Sequence, residues 1–315
     1  MIYDLIIIGG GPAGITAGIY AVRKKLNTLL ITKDFFGQIS KTGQVDNWPG
    51  ENAISGIALM QKLEKHLKQF PIEIKTGHKV VSAVVLPTLP HSQGQGSGVE
   101  VQIDSGEKYQ GRSLIVATGR NAKTLGIEGE QNFVGKGLSY CSICDAPFFR
   151  DKQVAVVGCG NAGFETALDL AKFAKKVFIF EKGDKILADE ILREQAQKAG
   201  NITINLKTEI LKIEGDKKIQ SIVYKTIENH KEFQQPMDGV FVQIGSIPAT
   251  GFLGNLVDFD KNNSIKINDK TLQASVKGIF AAGDCNDTTY KQLIIAAGQG
   301  ATAALSAYEY LQNKT

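Results

Sequence analysis

The chain has 315 residues, a formal net charge of +4, and a composition that is 43% hydrophobic and 22% charged. These values are typical of a folded protein of about two domains, and they exclude extended disorder. The basic residues are spread along the chain rather than grouped into a stripe, so we expect no nucleic-acid partner.

The first predicted element is a strand over Leu5–Ile8, a continuous apolar run that is typical of a strand buried on both faces. A turn with Gly9, Gly11 and Gly14 follows the strand, and a helix follows the turn. In such a G-x-G-x-x-G turn the first glycine permits the turn and the second lets backbone N–H groups approach a pyrophosphate. The third lets the helix pack on the strand. The segment therefore predicts a dinucleotide site.

The segment Leu86–Gly98 is the one stretch of low complexity. It contains two prolines and several Gly, Ser and Gln residues between two strand-like runs. This composition predicts an exposed hairpin loop, to which we assign no function.

Two of the four cysteines, Cys141 and Cys144, form a C-x-x-C pair that Asp145 follows directly. A zinc site would need two further ligands at a suitable spacing, and neither the single Cys159 and Cys285 nor the scattered histidines supply them. An inert pair and a reversible dithiol/disulfide remain. The redox interpretation is favoured, because the sulfurs can close a small ring at little entropic cost and C-x-x-C thiols can have lowered pKa values. Asp145 adds the proton donor or acceptor that thiol–disulfide exchange needs.

The cysteine count also bears on location. Four cysteines in a chain of this size do not make a disulfide framework. The N-terminus shows no leader pattern, and no apolar run reaches ~18 residues. We therefore expect a cytoplasmic, reducing location and no membrane partner, a setting in which a C-x-x-C pair is more often catalytic or metal-binding than structural.

A second strand over Val154–Val157 leads into a second complete G-x-G-x-x-G turn, with Gly158, Gly160 and Gly163. One such turn alone is a weak sign of a ligand. Two of them in one chain, each between a strand and a helix, predict two dinucleotides.

A third segment lies near the C-terminus, with a strand over Ile279–Ala282, a tight turn at Gly283–Asp284 and a long apolar helix over Lys291–Leu311. It suggests that the end of the chain returns to the first nucleotide site. The middle unit would then be an insertion, with edges near Val116–Asn121 and Gln243–Thr250, where apolar strands stop at glycine- or proline-bearing turns.

The chain resembles the low-molecular-weight thioredoxin reductases along essentially its whole length. The matching motifs are "IGGGPAG", "VATG", "CSICD", "VGCGNAG", "GIFAAGD…YKQ", and "GQ…VDNWPG" at Gly37, Gln38 and Val45–Gly50. The second half is also similar to the flavoprotein subunit of alkyl hydroperoxide reductase, in "GVFVQIG" and "AAGDCNDTTYKQLIIA". That relative carries an extra N-terminal thioredoxin-like segment. Here the first turn begins at residue 9, so we expect the disulfide substrate on a separate protein.

The resemblance implies an α/β fold of the pyridine nucleotide-disulfide oxidoreductase type, with two Rossmann-like nucleotide-binding domains. An FAD domain at residues 1–119 and 248–315 would hold an inserted NAD(P)H domain at residues 120–247, which carries the C-x-x-C pair. The resemblance also implies a homodimer, and we expect no metal.

The resemblance further implies an electron path from the nicotinamide to FAD, then to the Cys141–Cys144 disulfide, and then to a partner's disulfide. Cys144 would face the flavin, Cys141 would attack the partner, and Asp145 would serve as acid and base. For FAD, the implied residues are Gly9, Gly11, Ala13, Gly14, Gln38, Asn47, Asp284 and Gln292. Further implied cofactor-binding residues are Pro12, Gly37, Val80, Ala117, Gly119, Gly158, Gly160, Asn161, Ala162, Gly163, Glu181, Gly283 and Lys291.

The chain departs from thioredoxin reductases that prefer NADPH, which usually carry a basic cluster after the second strand of the nicotinamide unit. Here Glu181 closes that strand. An acid at this offset hydrogen-bonds a free ribose 2′-OH and repels a 2′-phosphate. We therefore expect NADH to be preferred, while the neighbouring Lys182 and Lys185 leave partial use of NADPH open.

The leading interpretation is thus a disulfide reductase for a thioredoxin-like protein. The alternative is an NADH-dependent reductase that serves a peroxiredoxin through a separate small redox carrier, such as a glutaredoxin-like protein. The intact "GCGNAG" turn argues against ferredoxin as the electron donor. A flavin-bearing redox sensor would not need both nucleotide turns together with the C-x-x-C pair and its acid.

Overall fold

The chain forms two compact units. The computed structural model describes residues 1–39, 45, 47–91 and 94–312, and of residues 90, 91, 94–96, 143 and 144 it describes only the backbone. Unit 1 comprises Met1–Asn121 and Ile247–Thr315, and unit 2 comprises Ala122–Ser246. The chain therefore leaves unit 1 once and returns to it once.

Unit 1 is built around one large sheet. Its strands are β1 (Ile2–Ile8), β2 (Thr28–Thr32), β3 (Glu73–Thr76), β4 (Val80–His91), β5 (Gly94–Ile103), β6 (Lys108–Val116) and β17 (Ile279–Ala281). Among the described residues the sheet has the order β3-β2-β1-β6-β5-β4, and β17 also pairs with β6. Leu5 and Ile7 of β1 pack into one core, whereas Ile6 and Ile8 pack into another. The first predicted strand is therefore buried on both faces, as its apolar sequence indicated.

Three helices of unit 1 are α1 (Pro12–Arg23), α2 (Gly56–Leu67) and α7 (Leu293–Gln312). α7 packs against α1 through small residues, and a Cβ on Gly300 would lie only 2.1 Å from the carbonyl oxygen of Ala13. The predicted helix was too long at its start, since Lys291 and Gln292 precede α7 and use their side chains in the loop before it. Among the helices of the described residues, none has both the length and the apolar character that would let it cross a membrane.

The hairpin predicted at Leu86–Gly98 is present, but the predicted loop is wrong in extent. β4 continues to His91 and β5 begins at Gly94, so strand pairing runs through most of the segment. β4 lies at the edge of the sheet, where a proline costs no hydrogen bond to a neighbouring strand. Leu89 is buried and packs over Gly98, where a Cβ would lie 2.0 Å from Leu89 Cδ1. Residues 92 and 93 lie outside the described residues.

Unit 2 contains a parallel sheet and a separate antiparallel sheet. The parallel strands are β8 (Leu138–Ser139), β9 (Gln153–Val157), β10 (Lys176–Phe180), β11 (Ile202–Asn205) and β15 (Gly239–Val242), and the antiparallel strands are β12 (Thr208–Gly215), β13 (Ile219–Thr226) and β14 (Glu232–Pro236). Its helices are α3 (Glu130–Phe133), α4 (Ser142–Asp145), α5 (Asn161–Ala171) and α6 (Glu190–Ala199). The parallel sheet has the order β11-β10-β9-β15-β8. The second glycine-rich turn thus joins a central strand, β9, to α5.

Two short strands, β7 (Arg120–Ala122) and β16 (Ser246–Pro248), pair with each other where the chain passes between the units. We call this pair the connecting ribbon. On the unit 1 side, the N–H of Ala249 donates to the carbonyl of Gly119 at 3.0 Å. On the unit 2 side, the N–H of Lys123 donates to the carbonyl of Gly245 at 2.9 Å.

Candidate functional site

The first glycine-rich turn brings backbone against backbone. Gly9 has a φ of +115°, and a Cβ there would lie 2.2 Å from the carbonyl oxygen of Ala117. A Cβ on Gly14 would lie 1.9 Å from the carbonyl oxygen of Gly9. Neither position can therefore hold a side chain without a shift of the backbone.

The second turn repeats this geometry in unit 2. Gly158 has a φ of +112°, and a Cβ there would lie 2.3 Å from the carbonyl oxygen of Gln243. A Cβ on Gly163 would lie 2.1 Å from the carbonyl oxygen of Gly158. The two G-x-G-x-x-G motifs thus build the same turn, with the first and third glycines held by close packing.

The middle glycine of each turn is different, because it borders open space. A Cβ on Gly11 or on Gly160 would meet no atom within 4 Å. The two residues immediately precede α1 and α5, whose N-termini carry unpaired N–H groups and a partial positive charge. Each turn therefore offers space and hydrogen-bond donors to an anionic group such as a pyrophosphate.

Unsatisfied polar groups lie beside the first turn, at the carboxyl ends of β6 and β17. The hydroxyl of Thr118 is buried and has no hydrogen-bond partner within the described part of the chain. The half-buried carboxylate of Asp284 likewise makes no hydrogen bond to any residue that the structure describes. Burial raises the pKa of Asp284, while Lys291 and Arg120 act in the opposite direction. Because buried polar groups are normally paired, these two groups fit a site that a polar ligand completes.

The loop after β17 is held by Asn286 and Gln299, which sequence reasoning missed, and by Lys291, which it predicted to bind a cofactor. The buried Asn286 donates to the side-chain oxygen of Gln299 at 2.9 Å, and that oxygen also accepts the N–H of Gly283 at 2.7 Å. Lys291 Nζ donates to the carbonyl of Asn286 at 2.6 Å, and burial lowers the pKa of this lysine. The signal was the polar Gln299 between two glycines in the largely apolar first half of α7. These bonds fix the Gly283–Asp284 turn.

Other predicted cofactor-binding residues of unit 1 make contacts within that unit. Asn47 Nδ2 donates to Gln292 Oε1 at 3.1 Å, and Gln38 Nε2 donates to the carbonyl of Arg120 at 2.5 Å. Val80 is half-buried and packs against one of the cores of unit 1. Asp46, within the matched "VDNWPG" motif, lies outside the described residues.

Glu181 lies beside the second glycine-rich turn, where an acid was predicted. Its Oε2 accepts the N–H of Cys159 at 3.1 Å, and its Oε1 accepts the N–H of Gly183 at 2.8 Å. The neighbouring Lys182 is paired with Glu209, with 2.6 Å between Nζ and Oε1. Glu209 Oε2 also lies 3.1 Å from Lys225 Nζ. Glu209 and Lys225 both belong to the antiparallel sheet, so the ion pair holds Lys182 against that sheet.

Asn161, the first residue of α5, is engaged by its own unit. Its Nδ2 donates to Asp189 Oδ2 at 2.8 Å, and its Oδ1 accepts the N–H of Asp189 at 2.9 Å. These two bonds tie the start of α5 to the segment just before α6. Ala162 beside it is exposed.

Cys141 is buried and disulfide-bonded, whereas Cys159 and Cys285 are free thiols. The side chain of Cys144 lies outside the described part of the structure, although its backbone belongs to α4. Asp145 ends α4 and is half-exposed. Cys141 thus directly precedes α4 and Cys144 lies within it, in the same unit that holds the second glycine-rich turn.

Several polar contacts hold the C-x-x-C segment. The hydroxyl of Ser139 accepts the N–H of Cys141 at 2.9 Å, and the hydroxyl of Ser142 donates to Asp169 on α5 at 3.2 Å. A helix of one turn has little stability of its own. These contacts therefore determine where α4 lies.

The two free thiols are unsuited to exchange chemistry. Cys285 is fully buried, and burial raises its pKa to about 11. Burial also raises the pKa of Cys159, and the carboxylate of Glu181 adds to this shift. Because the thiolate is the reactive form, both side chains stay unreactive near neutral pH.

Comparison with known proteins gives matches to oxidoreductases along nearly the whole chain. The family model described as pyridine nucleotide-disulphide oxidoreductase matches residues 3–300. Among solved structures, thioredoxin reductase from Lactococcus lactis is 32% identical, with a TM-score of 0.85 and 99% of both chains covered. The resemblance to thioredoxin reductases and the predicted fold class are confirmed by these matches.

Curated relatives carry two other names. The chain is 36% identical over 313 residues to an NADH dehydrogenase from Ferdinandcohnia aciditolerans. It is 33% identical over 309 residues to one subunit of the alkyl hydroperoxide reductase from Staphylococcus aureus. These matches cover 99% and 98% of this chain but 58% and 59% of the relatives. The chain therefore spans a little over half the length of the curated relatives it matches. It belongs to the pyridine nucleotide-disulphide oxidoreductase family.

Proposed function

We propose that the chain is a flavin-dependent disulfide reductase, which passes two electrons from a nicotinamide nucleotide to a thioredoxin-like protein through Cys141 and Cys144. The observation that carries the proposal is the disulfide at Cys141, with both remaining described cysteine thiols buried and free. The likeness to thioredoxin reductases over the whole chain supports it.

The residues proposed to hold FAD are those around the first turn and the Asp284 loop. FAD, when bound, takes up two electrons from the reduced nicotinamide and supplies them to the disulfide. The open face at Gly11 leaves room for the pyrophosphate. The hydroxyl of Thr118 and the carboxylate of Asp284 are available to bind polar groups of the cofactor. In unit 2, Gly160 and the start of α5 would hold the pyrophosphate of the nicotinamide nucleotide in the same way.

The dithiol would work by two exchanges. The Cys141 thiolate attacks one sulfur of the partner's disulfide, so that a Cys141–partner bond forms, the partner's bond breaks and one partner thiolate leaves. The Cys144 thiolate then attacks the Cys141 sulfur, which restores the Cys141–Cys144 disulfide and releases the second partner thiolate. The two protons lost by the dithiol end on the two partner thiols, and the half-exposed Asp145 would accept and return a proton at Cys144.

We propose that NADH is preferred over NADPH. Glu181 is fixed beside the second turn by two backbone N–H groups, and each of its oxygens has a further lone pair for a ribose hydroxyl. A 2′-phosphate would bring about two negative charges towards this carboxylate. Lys182 is held by Glu209 instead of standing free to neutralise them.

A second candidate is an NADH-dependent reductase of a small redox carrier that serves a peroxiredoxin. The matches to a subunit of alkyl hydroperoxide reductase favour it, although this chain spans only part of those relatives. The chemistry at Cys141 would be the same in both candidates, and only the partner would differ. A cytoplasmic homodimer, as expected from the cysteine content and the resemblance, stays a prediction.

The test is a steady-state assay of the FAD-loaded protein with NADH and NADPH, and with thioredoxin or a glutaredoxin-like protein as acceptor. We expect nicotinamide oxidation that depends on the acceptor and is abolished in Cys141→Ser. Activity with the glutaredoxin-like protein alone would favour the second candidate. Equal rates in wild type and Cys141→Ser would contradict both.

A further inference from the structure

Tyr140, directly before Cys141, is tied at its side chain and at its backbone to two separate parts of unit 2. Its hydroxyl donates to Glu130 Oε1 at 2.8 Å, and its carbonyl accepts from Gln243 Nε2 at 3.4 Å. Neither tyrosine nor glutamate has a part in the exchange chemistry proposed above. Their position next to the reactive cysteine therefore needs another explanation.

The side chain of Glu130 is buried, with 1% of the residue exposed, and its carboxylate accepts three hydrogen bonds from donors in unit 2. Besides Tyr140, it accepts the N–H of Leu125 at 2.8 Å and the N–H of Gly126 at 2.7 Å. Leu125 and Gly126 lie just after the connecting ribbon, in the segment through which the chain enters unit 2. Such a carboxylate holds its three donors firmly in place. Loss of any one donor would leave part of the buried negative charge without a hydrogen bond, which costs free energy.

Gln243 lies in the other connecting segment, just before the chain leaves unit 2. Its backbone carbonyl packs against Gly158, and Gly245 two residues later accepts the N–H of Lys123. Tyr140 thus contacts both the entering and the leaving segment, one through Glu130 and one through Gln243.

We infer that Tyr140 is a positioning residue, which holds Cys141 in a fixed position relative to the two segments that connect unit 2 to the rest of the chain. The inference rests on the proposed function, since it concerns the same Cys141–Cys144 pair. Burial and the Glu130 carboxylate both raise the pKa of Tyr140, so its phenol remains a donor and takes no part in proton transfer. Its contribution is geometric: a fixed Cys141 keeps the two sulfurs of the pair close, and this favours the closed disulfide.

The test compares Tyr140→Phe with a matched control. Tyr3→Phe removes the same kind of bond in unit 1, where the buried Tyr3 donates to Glu73 Oε2 at the same distance of 2.8 Å. FAD-loaded wild type and both variants are equilibrated in glutathione redox buffers, and free thiols are trapped with a maleimide and counted by peptide mass spectrometry. This readout gives the equilibrium constant of the Cys141 disulfide, which a purely structural loss of stability would not move.

We expect the constant for disulfide formation to fall about fivefold in Tyr140→Phe, because a loosened segment lowers the effective thiol concentration. Tyr3→Phe should leave it unchanged. Gln243→Leu removes only the second contact, and we expect a fall of about twofold to threefold there. A Tyr140→Phe constant equal to that of wild type would overturn the inference. If Tyr140→Phe fails to fold, an unchanged constant in Gln243→Leu would overturn it instead. A wild-type disulfide that NADH and FAD cannot reduce would contradict the proposed function and not this inference.

Discussion

The backbone N–H of Cys159 donates to Glu181 Oε2 at 3.1 Å, which joins the second glycine-rich turn to the end of the next strand of the sheet. Replacing Glu181 by alanine would therefore remove a charge and also leave two N–H groups, those of Cys159 and Gly183, without their acceptor. Glu181→Gln is the milder change, because the amide oxygen can still accept from Cys159 while the negative charge is lost, and only the bond from Gly183 is given up.

We expect wild type to favour NADH, and Glu181→Gln to shift the NADH/NADPH ratio of kcat/KM towards NADPH by about tenfold, equivalent to about 1.4 kcal/mol. The physical reason is the loss of repulsion between the carboxylate and a 2′-phosphate. Steady-state rates with both nucleotides measure the ratio. A wild type that prefers NADPH, or a ratio that Glu181→Gln leaves unmoved, would show that another residue discriminates.

The first glycine-rich turn predicts opposite outcomes for substitutions at Gly14 and at Gly11. Gly14→Ala should lower the free energy of unfolding by about 3 kcal/mol, because the new Cβ would overlap the Gly9 carbonyl at 1.9 Å. Gly11→Ala should change it by less than about 0.5 kcal/mol and instead weaken FAD binding, because its Cβ meets no protein atom within 4 Å. Denaturant unfolding and flavin titration of the two variants measure the difference.

Gly160→Ala is the matched variant in unit 2. We expect it to raise KM for the nicotinamide nucleotide while the bound flavin is retained, since its Cβ likewise points into open space. Loss of flavin from Gly160→Ala, with the nicotinamide KM unchanged, would reverse the assignment of the two turns.

These glycine roles could be predicted from sequence because a glycine-rich turn is a local feature. The strand, the turn and the helix that follows are contiguous, so their spacing alone fixes the contact between Gly14 and the Gly9 carbonyl. The contact between Gly9 and Ala117 is not local, because Ala117 follows β6. The strand over Leu5–Ile8 was predictable for the same reason, since only a strand covered on both faces is uniformly apolar.

The residues missed by sequence reasoning depend on distant partners. Gln299 reads as a polar interruption of an apolar helix, and its bonds to Gly283 and Asn286 appear only once α7 is placed beside β17. The hairpin at Leu86–Gly98 was misjudged because proline and glycine signal a loop locally. An edge strand tolerates both, and the packing of Leu89 over Gly98 favours extended pairing there.

Asp284 predicts a pH effect on stability. Burial raises its pKa in the folded chain above the unfolded value of about 3.9, so folding favours the protonated form. Stability is therefore greatest below the unfolded pKa and declines as the pH rises through the folded pKa. We expect Asp284→Asn to raise the Tm of the FAD-free protein at pH 7, and the gain to shrink as the pH falls towards 4.

FAD affinity should move the other way in Asp284→Asn, since the charged acceptor is lost. Thermal unfolding between pH 4 and 8, without and with FAD, measures both effects. A variant that is less stable than wild type at pH 7 without FAD would mean that the Asp284 carboxylate stabilises the fold on its own.

The cysteine pair predicts a separation of half-reactions. Cys144→Ser should abolish reduction of the partner protein, while reduction of the flavin by the nicotinamide continues, because only the second transfer uses the dithiol. Anaerobic stopped-flow absorbance follows both steps. Cys159→Ser is the control, since that thiol is buried with a raised pKa. Equal loss of both half-reactions in Cys144→Ser would indicate a structural role for the pair.

The contact between Gly300 and Ala13 has a consequence for biosynthesis. α7 supplies part of the core around the first turn, yet it is synthesised after the whole of unit 2. Unit 2 is encoded by one continuous stretch, so it can fold while unit 1 still lacks α7. The nascent chain would thus carry a folded unit 2 while the core of unit 1 is still incomplete, and the Gly9–Gly14 turn would be fully packed only after α7 has been made.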